Sequence, residues 1–181
     1  MESFNEKLAQ QVDGYIEGLF VPHDETLAQG LKDAEAAGLP AINVSANEGK
    51  LLYLIARMAQ AKRVLEIGTL GGFSTTWLAR ALPADGKVIT LELDQKHADV
   101  ARKNLDRNGV GHTVEIRVGR ASDSLQTMIA QGEAPFDLIF IDADKPGYVE
   151  YLNRSLQMAH SGTVILADNL IRNGRVMDNH P

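Results

Sequence analysis

Five short apolar runs in this 181-residue chain each end in side chains that bind or move charge. The first, Val64 to Ile67, carries Glu66 and breaks at Gly68 and Thr69, and the second ends at Glu92 and Asp94. After the third comes Gly119-Arg120-Ala121-Ser122-Asp123. The fourth delivers Asp142-Ala143-Asp144-Lys145 and the fifth Asp168-Asn169. Asp142, Asp168 and Asn169 offer two carboxylates and an amide, hard oxygen ligands that suit Mg²⁺ and leave positions open for water or substrate. Beside a divalent cation the ammonium of Lys145 is disfavoured, which lowers its pKa towards that of a general base. Glu92 stands 24 positions after Gly68, where a nucleotide site places the acid that receives ribose hydroxyls. A carboxylate accepts both hydroxyl protons at once. Plainer roles stand beside these. A carboxylate at a helix start can be a cap, Asp168 and Asn169 can close a turn, and Glu92 can be a solvated strand-end acid. Lys145 can be a solvated helix-start lysine. Capping alone accounts poorly for five polar strand ends in succession.

The elements that must position these groups begin at Arg63-Val64-Leu65-Glu66-Ile67-Gly68-Thr69-Leu70-Gly71-Gly72-Phe73-Ser74. An apolar run, a glycine turn and a helical pattern make the start of a nucleotide-binding βαβ unit. Free N–H groups at the start of the next helix favour an electronegative ligand group. The spacing is Glu-x-Gly-x-x-x-Gly, and Phe73 stands where the dinucleotide fingerprint has its third glycine. An acid just before the turn repels a pyrophosphate and suits a ligand with a positive charge or hydrogen-bond donors. This favours S-adenosylmethionine over a nicotinamide cofactor.

From residue 63 onward strands are expected at 63–68, 87–92, 113–118, 136–141 and 162–167, with helices at 73–82, 95–108, 122–131 and 147–159. Alternating β and α with near-continuous apolar strands predicts a doubly wound parallel α/β sheet with helices on both faces. Ligands then gather beyond the carboxyl ends of the strands. Three helices precede the sheet, at 4–20, 24–37 and 47–60, the last opened by the capping pattern Ser45-Ala46-Asn47-Glu48. They are expected to pack on the sheet or over its ligand edge. His23, His97, His112, His160 and His180 show no metal-ligand spacing and read as surface or turn residues. Trp77, Met128 and Met158 read as buried helix positions.

The length suits one domain over residues 1–181, with 1–60 as leading helices and 61–181 as the core. A net charge of −6 leaves no basic footprint for nucleic acid or an anionic membrane. The absence of cysteine excludes disulfides, thiolate chemistry and cysteine zinc sites. No stretch approaches the roughly 20 apolar residues of a membrane span, and the polar start is no signal peptide. A soluble, cytoplasmic protein is expected.

Taken together, the motifs resemble the cation-dependent class I O-methyltransferases, the group that includes caffeoyl-CoA and catechol O-methyltransferases and their bacterial relatives. The resemblance runs from about Ile42 to the end. It rests on Ser45-x-x-Glu48-Gly49, Glu66-Ile67-Gly68-Thr69-x-x-Gly72-Phe73-Ser74, Phe140-Ile141-Asp142-Ala143-Asp144-Lys145 and Ala167-Asp168-Asn169. It implies a Rossmann-like fold and an O-methyltransferase that uses S-adenosylmethionine and Mg²⁺ or another divalent cation on a catechol-like or phenylpropanoid diphenol. It further implies that Glu66, Gly68, Thr69, Ser74 and Val44 surround the methionine part of the cofactor, with Asp144 on its amine. Glu92 would take the ribose hydroxyls, and Ala121 and Ser122 would border the adenine. Asp142, Asp168 and Asn169 would ligate the metal, Lys145 would be the base, and Asn173 would lie near the substrate. A homodimer is implied as well.

Family members continue past this point with further strands that complete a larger sheet. On that pattern the C-terminal strands are missing here, and the fifth strand becomes an exposed edge. Two rival functions follow from the same residues. One is a non-catalytic S-adenosylmethionine-binding protein, the other an NAD-dependent oxidoreductase on a similar sheet.

Overall fold

The computed structural model describes residues 6–177, with the side chains of residues 6, 7, 172, 173 and 175 outside that description. Three helices lead: α1 (Glu6–Phe20), α2 (Glu25–Ala36) and α3 (Ala46–Met58). The sheet and its crossovers follow as β1 (Arg63–Ile67), α4 (Phe73–Ala81), β2 (Lys87–Glu92), α5 (Gln95–Arg107), β3 (Val114–Val118) and α6 (Ala121–Ala130). The chain continues through β4 (Phe136–Ile141), α7 (Tyr148–Leu156) and β5 (Ala159–Ala167). All pairings are parallel and the strand order is β3-β2-β1-β4-β5. The chain therefore winds outward one way from β1, then returns to lay β4 on its other side. The expected doubly wound sheet is borne out, and the reversal between β1 and β4 is where such sheets bind ligands.

The central strands carry apolar side chains on both faces because helices cover both. Val64, Val88 and Leu138 pack with Ala56, Leu78 and Leu105 of α3, α4 and α5. Leu65, Ile67, Ile89, Ile139 and Ile141 pack with Leu125 and Met128 of α6 on the opposite face. Leu65 and Ile139 are wholly buried, and each such side chain contributes about 1.5–3 kcal/mol. Trp77 meets Tyr53 edge-on at 6.4 Å between ring centroids, a core role as expected.

The leading helices divide their work. α3 opens with the predicted capping box, Ser45 accepting from the Glu48 N–H and Glu48 from the Ser45 N–H, and packs against α4. α2 lies over the ligand edge. α1 touches α3 and leaves Tyr15, Leu19 and Phe20 exposed. No helix among the described residues is long and apolar enough to cross a membrane.

The last crossover departs from the expected boundaries. α7 ends at Leu156 rather than 159, and β5 starts at Ala159, paired with Phe136 across a register shift before Leu138. Gly162 at φ 100° lies within the strand, so its early residues follow the ladder only through this irregularity, which periodicity does not reveal. Met158 is buried as expected, but in the turn between α7 and β5 rather than on a helix. β5 is the sheet edge among the described residues, with Val164 to Leu166 half-buried.

At the reversal point the strand ends are drawn tightly together. The Gly68 N–H donates to the Leu91 carbonyl at 3.0 Å, and the Asp142 N–H to the Ile67 carbonyl at 2.9 Å. Gly68 has φ 104°, and a Cβ there would lie 2.0 Å from the Asp142 carbonyl oxygen. Gly68→Ala is therefore expected to cost roughly 2–4 kcal/mol through strain and displaced backbone. Urea unfolding with an unchanged slope and a lowered midpoint would be the reading of it.

Candidate active site

Beyond the carboxyl ends of the strands lies a cavity of about 740 Å³, within the usual range for a small-molecule site. Its floor is the glycine turn, and one wall comes from α2 through Leu27, Gly30, Leu31 and Ala34. Ile42, Asn43 and Val44 add a second wall before α3.

The turn is built around Glu92. Its Oε2 accepts the Leu70 N–H at 2.8 Å and the Thr69 N–H at 3.2 Å, while Oε1 accepts the Asp94 N–H at 3.0 Å. Three backbone donors thus fix a carboxylate that offers about four acceptor positions, leaving capacity on Oε1 towards the cavity. His97 Nδ1 stands 3.3 Å from that oxygen and lines the cavity. His97, expected as a surface or turn residue, stands in the first turn of α5 and faces the cavity. Asp94 caps α5, so the helix begins at Gln95 and its first turn returns position 97 over the end of β2.

Glu66 sits beneath the turn and does not line the cavity. It is fully buried, and its oxygens accept from Thr75 Oγ1 at 2.5 Å, Thr90 Oγ1 at 2.6 Å and Ser74 Oγ at 2.7 Å. The sheet register explains one of these, since Thr90 is directly opposite Glu66 on β2. α4 supplies the other two from its first turn. Burial pushes the Glu66 carboxyl up to about 7, although the three hydroxyls pull the other way.

The opposite side of the cavity carries charge. Lys145 Nζ lies 2.5 Å from Tyr148 Oη, 3.4 Å from Asp142 Oδ1 and 3.5 Å from the Asp168 carbonyl oxygen. Burial works to lower the Lys145 pKa, but the Tyr148 hydroxyl and the Asp142 carboxylate outweigh it, so the net direction is upward. The lysine is thus the counter-charge of the Asp142 carboxylate. Burial, then repulsion from Asp168, raises the Asp142 carboxyl, and Lys145 offsets this only in part. Asp144 accepts from Tyr151 Oη at 2.5 Å and from the Gly147 N–H at 3.2 Å. Burial, then that contact with Asp144, pushes Tyr151 up to about 12.

Of the residues expected in the site, Val44, Gly68, Thr69, Ser74, Glu92, Ala121, Ser122, Asp142, Asp144, Lys145 and Asn169 line the one cavity. Asp168 stands behind its rim, hydrogen-bonded to the Asn169 N–H at 2.7 Å. Asn173 is in the 3-10 turn Arg172–Met177, and its side chain lies outside the described residues. His97, Asn104 and Tyr151 also line the cavity and were not expected there, while the α2 residues take one of the two placements expected for the leading helices, over the ligand edge. A histidine in the first turn after a strand-end acid is a signal that can be read. Which α2 residues reach the cavity carries none.

The sequence pattern of the O-methyltransferase family matches residues 20–181. The chain belongs to this family. It is 51% identical to a catechol O-methyltransferase of Niastella koreensis, across 96% of the chain and 79% of that relative. A crystal structure of the Bacillus cereus O-methyltransferase in complex with SAH superposes with a TM-score of 0.92. The two are 47% identical, over 94% of this chain and 78% of that one. The O-methyltransferase TomG of Streptomyces achromogenes, in complex with SAM, superposes at 0.93 with 43% identity, over 99% and 80%. The expected enzyme class, an O-methyltransferase, and the expected class I methyltransferase fold are both borne out.

Glu66 gives a signed pH dependence. Its folded pKa of about 7 exceeds the ordinary 4.5, so the folded state favours its protonated form. The contribution is complete below pH 4.5 and fades as pH rises through 7, by on the order of 3 kcal/mol. Glu66→Gln carries no such charge. Between pH 5 and 8 the melting temperature of the natural chain is expected to fall relative to that of the glutamine variant. Parallel melting curves across that range would refute the assignment.

Proposed function

We propose that the cavity holds S-adenosylmethionine and that its methyl group passes to an oxygen of a catechol-like or phenylpropanoid diphenol with the help of a divalent cation. The carrying observation is that a single cavity joins the Glu92 end, shaped for a ribose, to the Asp142–Lys145 end, rich in hard oxygen donors. Relatives named for catechol methylation and neighbours solved with SAM or SAH support this reading.

The residues fit both groups. On the cofactor side, the one acceptor position that the three backbone donors leave on Glu92 Oε1 suits a ribose hydroxyl in the His97 tautomer that carries no hydrogen on Nδ1, and Ala121 and Ser122 border the adenine. Asp144, oriented by Tyr151, faces the amine of the methionine part, and Val44 and Ser74 close that side. Glu66 acts from below by holding the Ser74 hydroxyl. On the metal side, Asp142 and Asp168 repel one another, an excess of negative charge that a cation relieves. Among the described residues no three His, Cys, Asp or Glu side chains are placed to hold a metal, so the set draws on the Asn169 amide. Mg²⁺ accepts such oxygen ligands and retains positions for others.

When bound, the cation supplies charge that eases ionisation of a phenol and helps to align it. With a cation on Asp142 the Lys145 ammonium would be disfavoured, and its neutral amine, positioned by Tyr148, would receive the phenol proton. Held by Asp144, Glu92 and the glycine turn, a bound sulfonium donor would supply an activated methyl group, the C–O bond forming as the C–S bond breaks with its electron pair returned to sulfur. α2 and the segment at Ile42–Val44 keep water out and the reactants close, from which much of the rate derives. Asn173 lies near the substrate in this reading, which also carries a single domain, a cytoplasmic location and a homodimer.

Calorimetric titration with S-adenosylhomocysteine is expected to show micromolar binding, weakened about ten-fold or more by Glu92→Ala, and none to NAD⁺. Binding to NAD⁺ alone would overturn the methyl-transfer reading. Catechol methylation is expected to cease in EDTA, to return with Mg²⁺, and to be lost in Asp142→Ala. Full turnover of that variant in EDTA would remove the cation from the mechanism.

A further inference from the structure

The α2 wall of the cavity rests on little apolar packing, since only Leu27 and Gly30 of that helix are buried. Polar side chains hold it instead. At its start Asp24, the helix cap, pairs with Arg80 Nη1 at 2.6 Å, and Arg80 Nη2 donates to Asn108 Oδ1 at 2.9 Å. Along its middle the contact is made by Asn104 of α5, which is 3% exposed. One amide nitrogen of Asn104 donates to the Gly71 carbonyl at 2.9 Å and to the Gly30 carbonyl at 3.2 Å. Its oxygen accepts from Arg107 Nη1 at 2.9 Å, and Arg107 also pairs with Asp33 of α2.

The position is built for this contact. On α5 the neighbouring inward residues are Ala98, Ala101 and Leu105, so an amide among them is buried at a cost unless its hydrogens are used. Both are used, on carbonyls belonging to two different pieces of the cavity. A Cβ on Gly30 would come within 3.3 Å of the Asn104 amide carbon, a tight contact that would press on the side chain. Gly30, Gly71 and Asn104 all line the cavity.

We propose that Asn104 is a positioning residue for the methyl donor: by tying the glycine turn to the α2 wall, it sets how long donor and product stay in the cavity. The proposal rests on the S-adenosylmethionine reading above. Asn104 acts through the two carbonyls and their elements. Without it the direct link between the glycine turn and the middle of α2 is lost, and α2 is retained by its first turn, by Leu27 and by the Arg107–Asp33 pair. The wall then opens more often, and the bound nucleoside leaves faster while its entry is little changed.

Surface plasmon resonance on the full chain, with S-adenosylhomocysteine as probe, separates the two rate constants. Asn104→Ala and Asn104→Asp are both expected to speed dissociation about ten-fold or more, with association altered by less than about three-fold. Asp preserves the volume and the Arg107 contact but cannot donate and sets a carboxylate oxygen against the two carbonyls, so its effect falls on these contacts rather than on packing. Faster amide exchange confined to residues 25–36 is expected in both. Natural dissociation rates in both variants, or an Asp variant that behaves like the natural chain, would overturn the proposal. If neither variant folds, Arg107→Ala serves, since it frees the Asn104 oxygen and the Asp33 anchor from a residue outside the cavity lining. Several-fold faster dissociation supports the proposal and an unchanged rate overturns it. Failure of the natural chain to bind the probe would instead remove the cofactor reading itself.

Discussion

The close approach of Gly68 to the carbonyl of Asp142 is the constraint on which the polar half of the molecule depends. It brings the end of β1 against the end of β4, so that the glycine turn and the Asp142–Lys145 segment share one cavity. A side chain at position 68 would separate them, and with them the Glu92 carboxylate from a cluster of hard oxygens. The parallel sheet supplies the stiffness for this contact. β1 and β4 are buried on both faces, and their ends are tied to each other and to Leu91 by backbone hydrogen bonds.

Two carboxylates near that point behave oppositely because their surroundings differ. Glu92 is held by three backbone N–H groups at the cavity surface and is presented to whatever enters. Glu66 is sealed below, surrounded by three hydroxyls, and its burial favours the protonated form. One lines the cavity. The other is a structural hub that fixes α4 and β2 beneath the turn, and it reaches the cavity only through Ser74. On the far side Asp142, Asp168 and Lys145 hold an unbalanced set of charges in partial burial. Structures keep such arrangements where a ligand completes them more readily than where packing alone is at stake.

The covering elements are made differently from the sheet. α2 contributes a wall of the cavity with almost no core of its own and depends on Arg80, Asn104, Arg107 and Asn108 for its place. Hydrogen bonds and ion pairs of this kind are individually modest. A wall held by them can open without disturbing the layers that hold the reactive groups. An enzyme that exchanges a large cofactor on each turnover is served by that division between a rigid floor and a lightly held wall.

The sequence by itself determined the alternation of strands and helices, the parallel sheet, the glycine turn and most of the cavity lining. The reason is local: apolar runs, caps and turn glycines act over a few residues, and in a parallel α/β sheet every strand end faces the same edge. Ser45 and Glu48 formed their capping box where the spacing placed it. Tertiary structure alone decided the rest. That Glu66 lies under the site rather than in it follows from its register opposite Thr90. His97 meets Glu92 because α5 starts immediately after the strand. β5 begins early because a register shift absorbs its first residues. The α2 wall, clasped by Asn104 across 74 positions of sequence, is visible in no local pattern, because its cause is the meeting of two helices and a turn.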